Sequence, residues 1–66
     1  MREARIIIFP ADLELKHEIA VLDPHTGKMV RTGMKAGPRQ ADIDEAVYQL
    51  KRTYERAKCW VTVKVM

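Results

Sequence analysis

Residues 42–58 carry the clearest helical stripe in this 66-residue chain, and that stripe limits what the rest can become. Ile43, Val47, Leu50 and Tyr54 recur at helical spacing, and Ala46 and Ala57 widen the apolar band. Asp42 is placed to act as N-cap, with Glu45 three residues on in the capping-box pattern. Acids (Asp42, Asp44, Glu45) occupy the first turn, and bases (Lys51, Arg52, Arg56, Lys58) gather toward the end, so both ends complement the helix dipole. A helix of about 17 residues spans roughly 25 Å, enough to roof one face of a small sheet and no more.

The remaining segments read as strands. Ala4 to Phe9 contains Ile6, Ile7 and Ile8, β-branched residues that favour extended backbone, and Pro10 is expected to end the run. So continuous an apolar run suits a strand covered on both faces. Leu13 to Leu22 alternates, with Leu13, Leu15, His17, Ile19 and Val21 on one side. Asp23-Pro24-His25-Thr26-Gly27-Lys28 is a turn: Asp bonds the backbone ahead, Pro presets φ, and Gly supplies a left-handed exit. Lys28 to Met34 returns as the second strand of that hairpin, and Lys35 to Ala41 is a loop marked by Gly37-Pro38. Cys59 to Met66 alternates as a last strand, with Cys59, Val61, Val63 and Val65 opposite Trp60, Thr62, Lys64 and Met66. The chain is thus predicted to be one α+β domain over residues 1–66, of order β-β-β-α-β. Its sheet is mainly antiparallel, with one amphipathic helix (about 42–58) on one face.

Size and composition restrict the function classes. The chain is 47% hydrophobic and 32% charged, a globular balance. Its single cysteine, Cys59, rules out an internal disulfide, and Cys59, His17 and His25 lack zinc-type spacing, so no metal is expected. A domain this small must rely on tight packing or self-association. The run Ile6 to Phe9 is too short for a secretory core or a membrane span, and with a lone cysteine the expected compartment is the cytoplasm.

Catalytic chemistry finds little support. His17 lies in an apolar row and reads as a half-buried structural residue; His25 sits in the turn. Cys59 shares parity with three valines and reads as a buried, unactivated thiol. Asp42-x-Asp44-Glu45 lacks the glycine and distal glutamate of a calcium loop, and no phosphate- or dinucleotide-binding glycine pattern occurs. The expectation is a protein that is not an enzyme and needs no cofactor.

Charge offers the best lead. Net charge is +3, unevenly spread. Residues 11–23 hold Asp12, Glu14, Glu18 and Asp23 against Lys16 alone; residues 24–41 hold Lys28, Arg31, Lys35 and Arg39 with no acid. This basic strand and loop, residues 28–39, can follow a phosphate backbone, with Gly33 and Gly37 allowing close approach. The opposing consideration is that these bases can pair with the acidic strand beside them. The expected function is a small non-enzymatic binding protein that contacts nucleic acid through Lys28, Arg31, Lys35 and Arg39.

The alternative is a protein-interaction module, an accessory or inhibitory protein that docks on a larger partner. One helix cannot cover both sides of the sheet, and Ile7, Phe9, Trp60 and Met66 are candidates for an apolar face joining two copies in a homodimer.

The series Asp23-Pro24-x-Thr26-Gly27-Lys28, then a basic strand and a helix, resembles the amino-terminal three-strand-plus-helix DNA-binding domain of tyrosine recombinases over about half of the chain. That resemblance implies a sheet entering the major groove of DNA. The chain departs from the family pattern at Met34-Lys35-Ala36-Gly37-Pro38, where an aromatic-containing approach to the helix is expected, and in the strand that follows the helix.

Overall fold

Alternating strand patterns and one helical stripe give five elements in the computed structural model, which describes residues 2–66: β1 (Arg2–Ala11), β2 (His17–Leu22), β3 (Met29–Ala36), α1 (Gln40–Arg56) and β4 (Cys59–Val65). The strands form one sheet of order β3-β2-β1-β4. β1 pairs antiparallel with β2, and β2 with β3, while β4 lies parallel to β1. Parallel neighbours require a crossover, and α1 supplies it by carrying the chain from the β3 edge across one face to the opposite edge. No helix among the described residues is long and apolar enough to cross a membrane.

The triple isoleucine takes an interior position, as its continuous apolar character requires. Ile6 and Ile8 face α1 and are essentially inaccessible. Ile7, on the other face, is also buried, between Ala20 of β2 and Lys64 of β4 in register. Under α1 the core comprises Ala4, Ile6 and Ile8, with Ile19, Val21, Ala36 and Cys59 from the other strands and Ala46 from the helix. Met34, Ile43, Val47, Leu50, Tyr54 and Val61 pack around it. The predicted stripe Ile43, Ala46, Val47, Leu50 and Tyr54 is thus the side of α1 that packs on the core, whereas Ala57 lies past the helix and is exposed.

Several local readings shift. β1 runs through Pro10 to Ala11, because the ladder changes register between Ile8 and Ala11 and so makes no demand on the missing N–H. His17 belongs to this irregularity: its Nδ1 donates to the Phe9 carbonyl at 2.9 Å, so the half-buried ring has a structural partner. β2 then starts at His17 and not at Leu13. The reversal lies in residues 12–16, where Asp12 organises the turn. Its Oδ1 accepts the Glu14 and Lys16 N–H groups at 2.8 and 3.0 Å, and its own N–H donates to the Lys16 carbonyl at 2.9 Å. Leu13 and Leu15 keep their alternating spacing but point into solvent, and Leu15 takes φ +59°. A left-handed leucine costs about 1–2 kcal/mol that glycine does not. Leu15→Gly is therefore expected to raise stability by roughly 1 kcal/mol despite its added chain entropy, read as a higher urea midpoint with an unchanged slope.

The helix is displaced by two residues from its expected bounds. Arg39 is the N-cap, and Asp42 stands at the third helical position, where its Oδ2 accepts the Arg39 N–H at 3.2 Å. The aspartate therefore serves the backbone from inside the first turn. Gly37 permits this geometry, since a Cβ there would come within 2.6 Å of that same oxygen. Glu45 instead accepts from the Gln49 side chain one turn on, at 3.0 Å. At the other end Lys58 takes φ +61° and its N–H donates to the Glu55 carbonyl at 3.0 Å, closing the helix before β4. The Asp23–Lys28 turn forms as read. Asp23 Oδ1 accepts the His25 N–H at 2.7 Å, the Asp23 N–H reaches the Lys28 carbonyl at 2.8 Å, and Gly27 takes φ +72°.

Candidate functional site

Every second residue of the sheet faces away from α1. β1 contributes Glu3, Arg5, Ile7 and Phe9; β2 contributes Glu18, Ala20 and Leu22; β3 contributes Met29, Arg31 and Lys35; β4 contributes Trp60, Thr62 and Lys64. Two groups of residues that the sequence presents separately, one basic and one apolar, therefore share one surface.

A double insertion in β3 shapes that surface. Ala20 opposes Arg31 and Glu18 opposes Lys35, so five residues of β3 lie against three of β2. Gly33 sits in the insertion at φ +76°. Thr32 takes over the interrupted ladder. Its Oγ1 donates to the Ile19 carbonyl at 2.7 Å and accepts the Met34 N–H at 3.1 Å. In a regular strand Arg31 and Lys35 would lie about 13 Å apart; set against neighbours two residues apart, they come to roughly 7 Å along the sheet. The insertion also extends β3 to Ala36, so Lys35 is a strand residue and not part of a loop.

Three cations on this face have partners. Arg31 Nη1 lies 3.3 Å from Glu18 Oε2, and Lys35 Nζ lies 3.4 Å from Asp12 Oδ2. Arg5 Nη2 reaches Glu3 Oε1 at 3.1 Å, and that same oxygen accepts the Thr62 hydroxyl at 2.8 Å. The Thr62 hydroxyl, then Arg5, hold the Glu3 carboxyl below its ordinary pKa. Asp12 is likewise lowered, first by the Lys16 N–H and then by Glu14 and Lys35. These pairs are exposed and screened by solvent, so each adds little to stability. They order the face without committing its charge.

Lys28 and Arg39 lie beyond opposite ends of β3, the first in the turn and the second at the start of α1. The four cations of residues 28–39 thus follow the β3 edge as a line, not as a compact patch. Of the apolar candidates, Ile7 is only 7% exposed because its own sheet neighbours cover it, so it is not an accessible contact. Phe9 is half-buried, whereas Trp60 and Met66 are open to solvent. A shallow cavity of about 230 Å³ lies between Phe9, Pro10, Asp12, Lys16, Glu18 and Arg31. It is below the roughly 300–1,000 Å³ usual for small-molecule sites. Cys59 is buried, with its Sγ 3.8 Å from the Ala57 carbonyl, and the described residues contain no group of three or more potential metal ligands.

Arg5 and Lys64 escape a reading based on charge runs, since each stands apart from residues 28–39. Parity would have found them once the strand order was known. The double insertion leaves a fainter trace, a threonine and a glycine between two bases. Compared with models of protein families, with curated proteins and with solved structures, this chain matches none, so the likeness to the recombinase domain rests on the turn and the element order alone.

Proposed function

We propose that this chain is a non-enzymatic binding module that contacts nucleic acid through the open face of its sheet along β3. The observation that carries the reading is the insertion that sets Arg31 beside Lys35 on a solvent-facing sheet. Arg5 and Lys64 extend the cationic surface across β1 and β4, and Lys28 and Arg39 prolong it at either end of β3. Phosphates are expected to replace Glu18 and Asp12 as partners, an exchange the weakness of exposed pairs permits. Phe9 and Trp60 add aromatic surface on the same face, which suits unpaired bases.

Trp60 is the only tryptophan and is 61% exposed, so its fluorescence reports binding directly. About four phosphate contacts give a log–log salt slope near −3 for single strands and −3.6 for duplex. Affinity is then expected to fall roughly 50- to 150-fold between 50 and 200 mM salt. The double variant R31E/K35E should bind at least about tenfold more weakly at low salt and lose about two units of slope. The reading is wrong if neither single-stranded nor duplex nucleic acid perturbs Trp60 or shifts anisotropy at low salt, or if R31E/K35E binds like the parent.

A further inference from the structure

We propose that two copies of this chain join through their β4 edges, antiparallel, into one continuous eight-stranded sheet. The two edges of the sheet are built differently. β3 is interrupted by the Thr32–Gly33 insertion and carries Arg31 and Lys35, devices that keep an edge from pairing. β4 has no such interruption and only one cation. Its ladder with β1 runs unbroken from Cys59 to Val65, it has no proline, and Lys64 is its only charge. Val63 and Val65 are 46% and 70% exposed, so α1 leaves the second half of the strand bare, and Trp60 and Met66 on the opposite face are 61% and 58% exposed.

The backbone of that edge is accounted for by one bond. The Met66 N–H donates to the Ile8 carbonyl at 2.9 Å, which turns even-numbered residues of β4 toward β1. The N–H and C=O groups of Val61, Val63 and Val65 therefore face outward, where another strand can pair with them. A second copy suits this edge because a two-fold axis at Val63 makes the strand self-complementary. Val63 then exchanges both hydrogen bonds with its counterpart, and Val61 does so with Val65 of the other copy. On the open face Trp60 meets Met66 and Thr62 meets Lys64, so the exposed apolar groups meet apolar partners and no like charges oppose each other. The axis runs perpendicular to the sheet, leaving both helices on one side and the β3 surfaces at the far ends. A strand of seven residues is about 23 Å long and sheets pack about 10 Å thick, so the contact is small and the dimer concentration-dependent.

Sedimentation velocity from about 5 to 500 μM covers the range expected of such a contact. The apparent mass should climb from the 7.6 kDa of one chain toward twice that value. Val63→Lys sets like charges across the axis, as does Val63→Glu, and each alone should weaken association at least about tenfold. Mixing the two variants should restore it, because lysine then faces glutamate. Val63→Pro removes an outward N–H without touching the β1 ladder and should also give a monomer, with circular dichroism unchanged. A parent that stays at the mass of one chain at the highest concentration overturns the proposal. So do single-charge variants that associate like the parent, or a mixture that fails to recover association.

Discussion

Replacing Ile6 with alanine is expected to remove a large share of this domain's stability. Ile6 is wholly buried on the central strand, with Val21 opposite it on β2 and Val63 on β4. Truncating a buried isoleucine to alanine costs about 2–5 kcal/mol, part transfer free energy and part cavity. A domain of this length has roughly 3–10 kcal/mol of total stability, so one such change removes a large share of it. Ile6→Val deletes one methylene and should cost only about 0.5–1.5 kcal/mol. Val65→Ala, on an exposed position of β4, should fall within about 0.5 kcal/mol of the parent. Urea midpoints for the three variants must rank in that order. An Ile6→Ala protein as stable as the Val65→Ala protein would mean that the core does not lie under α1.

Thr32→Val is the second large effect, and it connects the fold to the proposed site. The side chain keeps its shape, but the hydroxyl that donates to the Ile19 carbonyl and accepts from the Met34 N–H is lost. Both backbone groups sit where the β2–β3 ladder is broken, and leaving a buried group unpaired costs about 1–3 kcal/mol. The expected loss is about 2–3 kcal/mol, reduced from the sum because Thr32 is only half-buried. Thr32→Ser retains the hydroxyl and should lose less than about 1 kcal/mol. Amide exchange at Met34 should accelerate in the valine variant and not in the serine variant. Because the insertion holds Arg31 beside Lys35, the valine variant should also bind nucleic acid with a shallower salt dependence. Equal stability of Thr32→Val and the parent would show that water, and not the hydroxyl, bridges the gap.

Much of the fold is legible in short windows because its signals are short-ranged. The Asp23–Lys28 turn is specified by side chains that bond backbone two or three residues away. The stripe Ile43, Val47, Leu50 and Tyr54 marks the buried side of α1, since helical periodicity does not depend on what the helix meets. Leu13 and Leu15 show where this reasoning fails. Their alternation is genuine, but Asp12 closes a turn whose hydrogen bonds outweigh the gain from burying two leucines beyond the end of the sheet. Asp42 is a similar case: an acid near a helix start caps from several positions, and only the path set by Gly37 and Pro38 decides which.

The candidate site was legible as composition but not as a surface. Lys28, Arg31, Lys35 and Arg39 are evident as an acid-free stretch, yet their alignment along an edge, and the pairing of Arg31 with Glu18 and Lys35 with Asp12, depend on the neighbouring strand. Amino-acid pattern alone decides the element types, the hairpin turn, the buried side of the helix and the segregation of charge, because each arises within a few residues. Only the folded chain decides that β4 lies beside β1, that Ile7 is sealed by its neighbours, and that two extra residues in β3 bring two cations together. Strand pairing is a choice among distant partners, made by the packing of the whole sheet under one helix, and no local window contains it.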